Sequence, residues 1–257
     1  MTTFGADYAE LYDALYRDKD YAAEAKFTAA LLRSVLPTGQ LALLDFGCGT
    51  GLHAGEFLQY GFDVTGIDRS ADMIARAEER RRALPPGLRD RLAFAVGDLR
   101  TMQPKNRADA AVSLFHVLCY MVEEDDMQAA LRNIRRALRE GGAFVFDFWF
   151  EQAVFNDPPA PREKVVDFGT RQVKRTALPI WDRERSVVEV NYDISELEAG
   201  SLLRSHSERH RVRYFSLEDI ERLVVSAGFR LLRFGEWLTG KPPSAESFSV
   251  YCLACAA

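Results

Sequence analysis

Leu41-Ala42-Leu43-Leu44-Asp45-Phe46-Gly47-Cys48-Gly49-Thr50-Gly51 is the stretch on which the fold turns. An apolar run suited to a buried parallel strand ends in an acid, then in three glycines at alternate positions. Glycines there let the backbone turn tightly and approach a ligand that a Cβ would exclude. The segment from Leu52 to Tyr60 can start a helix whose N-terminal amides face the same ligand. A second apolar strand, Phe62-Asp63-Val64-Thr65-Gly66-Ile67, closes on Asp68. A carboxylate ending the second strand of a βαβ unit is placed to hold both ribose hydroxyls of a nucleoside.

The spacing separates two cofactors. A dinucleotide fingerprint requires G-x-G-x-x-G, but the sixth position after Gly47 and Gly49 is Leu52. The pattern D-x-G-x-G-x-G resembles instead the first motif of class I S-adenosylmethionine-dependent methyltransferases. That resemblance implies a doubly wound α/β sheet of seven strands and S-adenosylmethionine as cofactor, with S-adenosylhomocysteine as product. It assigns Asp45, Gly47, Cys48, Gly49 and Gly51 to the cofactor loop. It gives Asp68, with Arg69, to the ribose, and Asp98, with Leu99, to the adenine amine. Met73 matches the apolar residue beside the adenine ring, although helix core explains it equally well, and Phe115 joins the same set.

A chain of 257 residues fits one large α/β domain with an insertion, or two small domains. Apolar content of 47% is that of a globular protein with a real core. A net charge of −5 argues against a nucleic-acid partner, since phosphate binding needs a basic surface. The arginines from Arg76 to Arg91 and from Arg132 to Arg139 lie among acids on predicted helices and read as solvated faces. Neither a signal sequence nor an apolar run of membrane-spanning length is visible, so a cytoplasmic protein with no membrane partner is expected. Four cysteines without a secretory signal suit a reducing compartment. Cys252-x-x-Cys255 falls in an apolar final strand, where residues three apart point to opposite faces, and reads as core.

Along the chain, Tyr8, Leu11, Tyr12 and Leu15 share a helical face, and a longer helix is predicted from Tyr21 to Leu36. Together they form a helical lid. Ser70 caps a helix running through Ala83, and Leu92 to Val96 is a third strand. Asp109 to Leu114 is the fourth strand, followed by Phe115-His116-Val117-Leu118-Cys119-Tyr120. Ligands sit beyond the carboxyl ends of strands in such sheets, which puts His116 and Tyr120 near the transferred group. A helix is expected from Glu123 to Arg139, then a fifth strand from Ala143 to Phe148. Asn156 to Ala160 reads as a linker. Lys164 to Tyr214 reads as an antiparallel insertion with a hairpin turn at Glu198-Ala199-Gly200-Ser201. His206 and His210 share a face there but stand about 13 Å apart at ~3.3 Å per residue, too far for one metal ion. Cross-strand pairing is the expected use of both, and no metal site is expected. Leu231 to Phe234 and Phe248 to Leu253 supply the last strands. The expected units are a lid over 1–38, a cofactor domain over 39–155 and 216–257, and an insertion over 156–215 covering the substrate side.

Tyr12-Asp13-x-x-Tyr16 with Lys19-Asp20-Tyr21, the glycine loop, and Ser70-Ala71-Asp72-Met73 resemble a smaller group. These are the N-methyltransferases of nucleotide-linked amino sugars. The resemblance implies a small-molecule acceptor, a nucleotide-linked sugar, methylated on its amine by in-line transfer. Tyr120 stands roughly where some members carry a histidine, with His116 shifted upstream. Tyr12, Tyr16 and His116 are the candidate catalytic residues, with Tyr120 and Trp149 as walls of the acceptor pocket. His116 reads equally as a base or as a structural histidine. A hydroxyl acceptor, a nicotinamide-dependent oxidoreductase and a cofactor-binding protein without turnover are the alternatives. A homodimer through the insertion strands is also open.

Overall fold

The computed structural model describes residues 6–257, with side chains from Leu11 onward except that of Phe168. Residues 1–5 and the side chain of Tyr8 thus lie outside the described residues. In chain order, α1 (Ala6–Leu15) and α2 (Tyr21–Arg33) precede β1 (Leu41–Phe46) and α3 (Leu52–Phe57). Next come β2 (Phe62–Asp68), α4 (Ala71–Arg82), α5 (Pro86–Arg89), β3 (Leu92–Val96) and β4 (Ala108–Ser113). Helix α6 (Glu124–Ala137), β5 (Leu138–Trp149) and α7 (Glu151–Asn156) lead into β6 (Arg162–Phe168), β7 (Arg171–Asp182), β8 (Val187–Glu198) and β9 (Ser201–Arg213). The chain ends with α8 (Leu217–Ser226), β10 (Phe229–Glu236) and β11 (Ser249–Ala256).

Seven strands form one sheet in the order β10-β11-β5-β4-β1-β2-β3. The five strands from β1 to β5 run parallel, and β11 lies antiparallel between β5 and β10. Strands buried on both faces read as continuous apolar runs, which is why β1 and β11 carry almost no polar residues. The strand order reverses between β1 and β4, so the crevice beyond their carboxyl ends is the ligand position of such a fold.

The second sheet is an antiparallel meander, β6-β7-β8-β9. Its β8–β9 turn places Ala199 at φ 49° and Gly200 at φ 81°, the two left-handed residues that a tight hairpin needs. Helix α1 is wedged between the two sheets. Leu11 and Leu15 are fully buried with Met73 of α4 and with Val166, Val173 and Ile194 of the meander. Polar contacts fix both sides: Thr50 Oγ1 donates to Asp13 at 2.7 Å, and Arg17 Nη1 donates to the Asp167 carbonyl at 2.9 Å.

Two helices stop short of expectation. The helix expected to reach Arg139 stops at Ala137, because Leu138 is already extended and paired with Ala108. The helix expected to reach Leu36 ends at Arg33, and the Val35 and Leu36 N–H groups close a final turn onto the Leu32 carbonyl before Pro37.

Candidate active site

A cavity of ≈ 520 Å³ lies beyond the carboxyl ends of β1, β2 and β4, under α1 and the meander. Its floor is the glycine loop. Gly47, Gly49 and Gly51 all have positive φ, and a Cβ on Gly47 would lie 2.5 Å from the Val117 side chain. A Cβ on Gly51 would lie 2.6 Å from the Phe94 ring, whereas one on Gly49 would meet nothing within 4 Å. The loop is therefore pressed down at both ends and open in the middle. Asp68 ties it to the next strand: Oδ2 accepts the Gly49 N–H at 2.9 Å and Oδ1 the Ser70 N–H at 2.8 Å. Burial raises the Asp68 pKa, and those two donors pull against the rise.

Gly47, Cys48, Gly49, Asp68, Arg69 and Met73 line the cavity, as do Asp98, Leu99 and Phe115. Asp45 and Gly51 do not. Gly51 sits at the start of α3, and Asp45 is 2% exposed beneath the loop. Asp45 Oδ2 has no hydrogen-bond partner among the described residues, and burial, helped by the charge of Asp68, raises its pKa to about 7. Asp98 is gripped by Arg100, whose Nη2 lies 2.6 Å from Oδ2 and whose Nε lies 3.0 Å from Oδ1. That pairing holds its carboxyl below the usual range.

The other wall is aromatic. Tyr12 and Tyr16 pack with their rings tilted at 4.8 Å between centroids, and Tyr16 meets the Phe115 ring edge-on at 5.1 Å. Trp149 and Phe248 close the far side at 4.9 Å from each other. Between these walls, Phe115 and His116 occupy the left-handed region in succession, with φ of 66° and 62°. Side chains rarely adopt that conformation, and strain of this kind persists only where the surroundings enforce it. Here the enforcing group is Asp147 of β5, which is 2% exposed. Its Oδ1 accepts the His116 backbone N–H at 3.1 Å, and its Oδ2 lies 3.1 Å from His116 Nε2. Ser249 of β11 donates to the same Oδ2 at 3.2 Å. Ser249 Oγ also lies 3.1 Å from Nε2 and, with its own proton given to Asp147, accepts there, an arrangement that suits a ring protonated on Nε2. Burial lowers the His116 pKa, with Asp147 opposing.

Several lining residues escaped the sequence reading. Tyr21 and His53 border the cofactor end, and His53 Nε2 lies 2.8 Å from the buried Glu24 carboxylate. Arg162, Arg175, Tyr192 and His210 reach in from the meander. His210 corrects the expectation of cross-strand pairing. It lies opposite Val190 in the ladder, but its ring bonds Tyr120 and Glu208. The usable signal was alternation: Glu208, His210 and Val212 share one face of β9, while the residues between them are polar and more exposed.

The family model described as a methyltransferase domain matches residues 43–142. A curated relative from Streptomyces venezuelae is 30% identical over 95% of this chain and 98% of its own length. That relative is a dTDP-3-amino-3,4,6-trideoxy-alpha-D-glucopyranose N,N-dimethyltransferase. The chain belongs to the class I S-adenosylmethionine-dependent methyltransferases. A second relative of the methyltransferase, from Streptomyces fradiae, is a dTDP-3-amino-3,6-dideoxy-alpha-D-glucopyranose N,N-dimethyltransferase. It is 29% identical over 96% of this chain and 91% of its own length. The crystal structure of Streptomyces venezuelae DesVI superposes with a TM-score of 0.79 at 26% identity, covering 99% of this chain and all of that one.

The residues present fit S-adenosylmethionine. The open middle of the glycine loop at Gly49 and the two carboxylates of Asp68 and Asp98 supply a cradle, acceptors for hydroxyls and an acceptor for an amine. The cofactor, when bound, supplies an activated methyl group on a sulfonium. What the methyltransferase itself must do is hold, align and exclude water, because positioning supplies most of the rate in such a transfer. Helix α1 does this mechanically. Asp13 accepts from Thr50 on one side and from Arg80 Nη2 at 2.7 Å on the other, so the lid is tied to the loop beneath it. His116 lines the cavity at the strand ends.

Proposed function

We propose that this methyltransferase N-methylates the amino group of a nucleotide-linked amino sugar. One observation carries the reading: the cavity that starts at the glycine loop ends among the guanidinium groups of Arg162 and Arg175. A neighbouring recess shares both arginines and adds Lys164, with Asp18 and Glu163 beside them. An acceptor with a compact reactive end and a diphosphate tail suits a cavity apolar at one end and cationic at the other. The two relatives described above, which align over nearly the full chain, are dTDP-amino-sugar N,N-dimethyltransferases, which supports the same class of acceptor.

In this reading residues 1–38 are the lid, 39–155 and 216–257 bind the cofactor, and 156–215 cover the acceptor. Asp68 and Arg69 serve the ribose, Asp98, Leu99 and Met73 the adenine, and the loop from Asp45 to Gly51 the amino-acid end, with Phe115 beside it. Tyr12, Tyr16 and His116 orient the amine, and Tyr120 and Trp149 wall the sugar. Four free buried cysteines support a reducing, cytoplasmic setting. A homodimer through the meander is the assembly we infer, supported by the exposure of Leu178, Ile180 and Leu202 there.

Steady-state kinetics on an amino sugar with and without its nucleoside diphosphate tests the acceptor class. Arg175→Ala is expected to raise KM for the nucleotide-linked form about tenfold and to leave KM for S-adenosylmethionine unchanged. Equal turnover of the nucleotide-free sugar would contradict the reading.

A further inference from the structure

Tyr120 ends the short 3₁₀ turn that follows His116, and it lines the acceptor half of the cavity. Its phenol lies 2.8 Å from His210 Nδ1, and His210 Nε2 lies 2.9 Å from Glu208 Oε2. His210 and Glu208 are 3% and 5% exposed, both on the meander rather than on the cofactor domain. Tyr192 packs its ring edge-on against the imidazole at 4.9 Å and screens it from solvent. The carboxylate can only accept, so His210 Nε2 carries the proton and Nδ1 accepts from the Tyr120 O–H.

Burying three polar groups in a row is costly unless each is satisfied, and an apolar trio would pack the same space at lower cost. Burial also raises the Tyr120 pKa, so the phenol stays protonated at neutral pH and acts as a donor. The line runs inward from the cavity wall: phenol, imidazole, carboxylate.

We propose that Tyr120, His210 and Glu208 form a proton relay that removes the proton from the acceptor nitrogen. This rests on the amine-acceptor reading. An amine that has gained a methyl carries a positive charge and a proton. The N–H bond breaks with its electron pair kept on nitrogen, and the proton reaches Tyr120 Oη. The phenol's own proton moves to His210 Nδ1 in the same event, and the resulting imidazolium is held by Glu208. Tyr120 ends as a neutral phenol, and the nitrogen regains the lone pair that a second methyl requires. The proton returns along the same path to water once the product has left. Tyr120 is the catalytic residue of the relay; His210 and Glu208 are positioning residues that act through it. The meander thus contributes to the chemistry as well as covering the acceptor.

Two measurements test the relay. Nitrogen-15 NMR of the resting protein should show His210 with Nε2 protonated and Nδ1 as a hydrogen-bonded acceptor, and Tyr120→Phe should remove that hydrogen-bond signature. A ring protonated on Nδ1 would overturn the relay whatever the acceptor is. In steady-state assays, His210→Gln and Tyr120→Phe should each lower kcat on the nucleotide-linked amino sugar at least about tenfold. KM for S-adenosylmethionine should stay within about twofold, and product should shift toward the singly methylated form. Wild-type turnover on the amine with both variants equally active would sink the relay alone. A wild-type protein that leaves the amine untouched would sink the acceptor reading and the relay together.

Discussion

Asp147 holds His116 twice, taking its backbone N–H on one carboxylate oxygen and facing its Nε2 with the other, each at 3.1 Å. One buried acid thereby fixes both a strained backbone and a ring orientation. Asp147→Asn keeps the shape but presents an amide that cannot accept from both partners. The expected outcome is a fall in kcat of about tenfold with KM for S-adenosylmethionine unchanged, measured by steady-state kinetics. His116→Ala should dent turnover of an amine to a similar degree. Abolished turnover would indicate a hydroxyl acceptor, which needs a dedicated base.

Asp68 joins the glycine loop to β2 through the Gly49 and Ser70 amides. Asp68→Ala removes those acceptors together with the proposed ribose contact. Calorimetric affinity for S-adenosylhomocysteine should drop by about a hundredfold, as expected when charged hydrogen bonds worth roughly 1.5–3 kcal/mol are lost. Unchanged affinity would defeat the assignment of this loop to the cofactor.

Glu24 contributes an acid-sensitive part of the stability. Burial alone would raise its pKa, but the His53 hydrogen bond and the charge of Lys19 outweigh that and bring it down to about 2. A folded-state value below the unfolded one means stability that is present above pH 4.5 and lost as pH falls toward 2. Glu24→Gln should therefore cost ~3 kcal/mol at pH 7, and the difference from wild type should shrink toward pH 3. Urea unfolding at the two pH values checks this.

Asp45 has the opposite sign. Its pKa is raised from 3.8 to about 7 by burial, so ionising it costs stability as pH rises through that interval. Asp45→Asn should raise Tm at pH 8 by several degrees, since ~4 kcal/mol of unfavourable ionisation is removed. The gain should vanish by pH 4.

The sequence made the cofactor half legible because that half is local. Strand, glycine loop and Asp68 lie within one βαβ unit, and positive φ at Gly47, Gly49 and Gly51 is a backbone demand that residue type records directly. The insertion was legible as an antiparallel hairpin set, down to the turn at Ala199 and Gly200. What each of its side chains touches was not. His210 reaches Tyr120 across 90 positions of sequence, and Arg175 donates to the Tyr16 phenol across 159. Alternation says which face a residue takes, but not which element will cover that face. Asp147 passes unremarked inside the expected fifth strand, since nothing local announces that its carboxylate turns back onto the loop after β4.

Mass spectrometry of nucleotide-linked sugars, with and without free amines, incubated with enzyme and S-adenosylmethionine tests the central claim most directly. Gains of one or two methyl groups confined to the amino sugars are the predicted result. Methylation of sugars that lack an amine would contradict it, and would make His116, on its Asp147 support, the base of an O-methyltransferase.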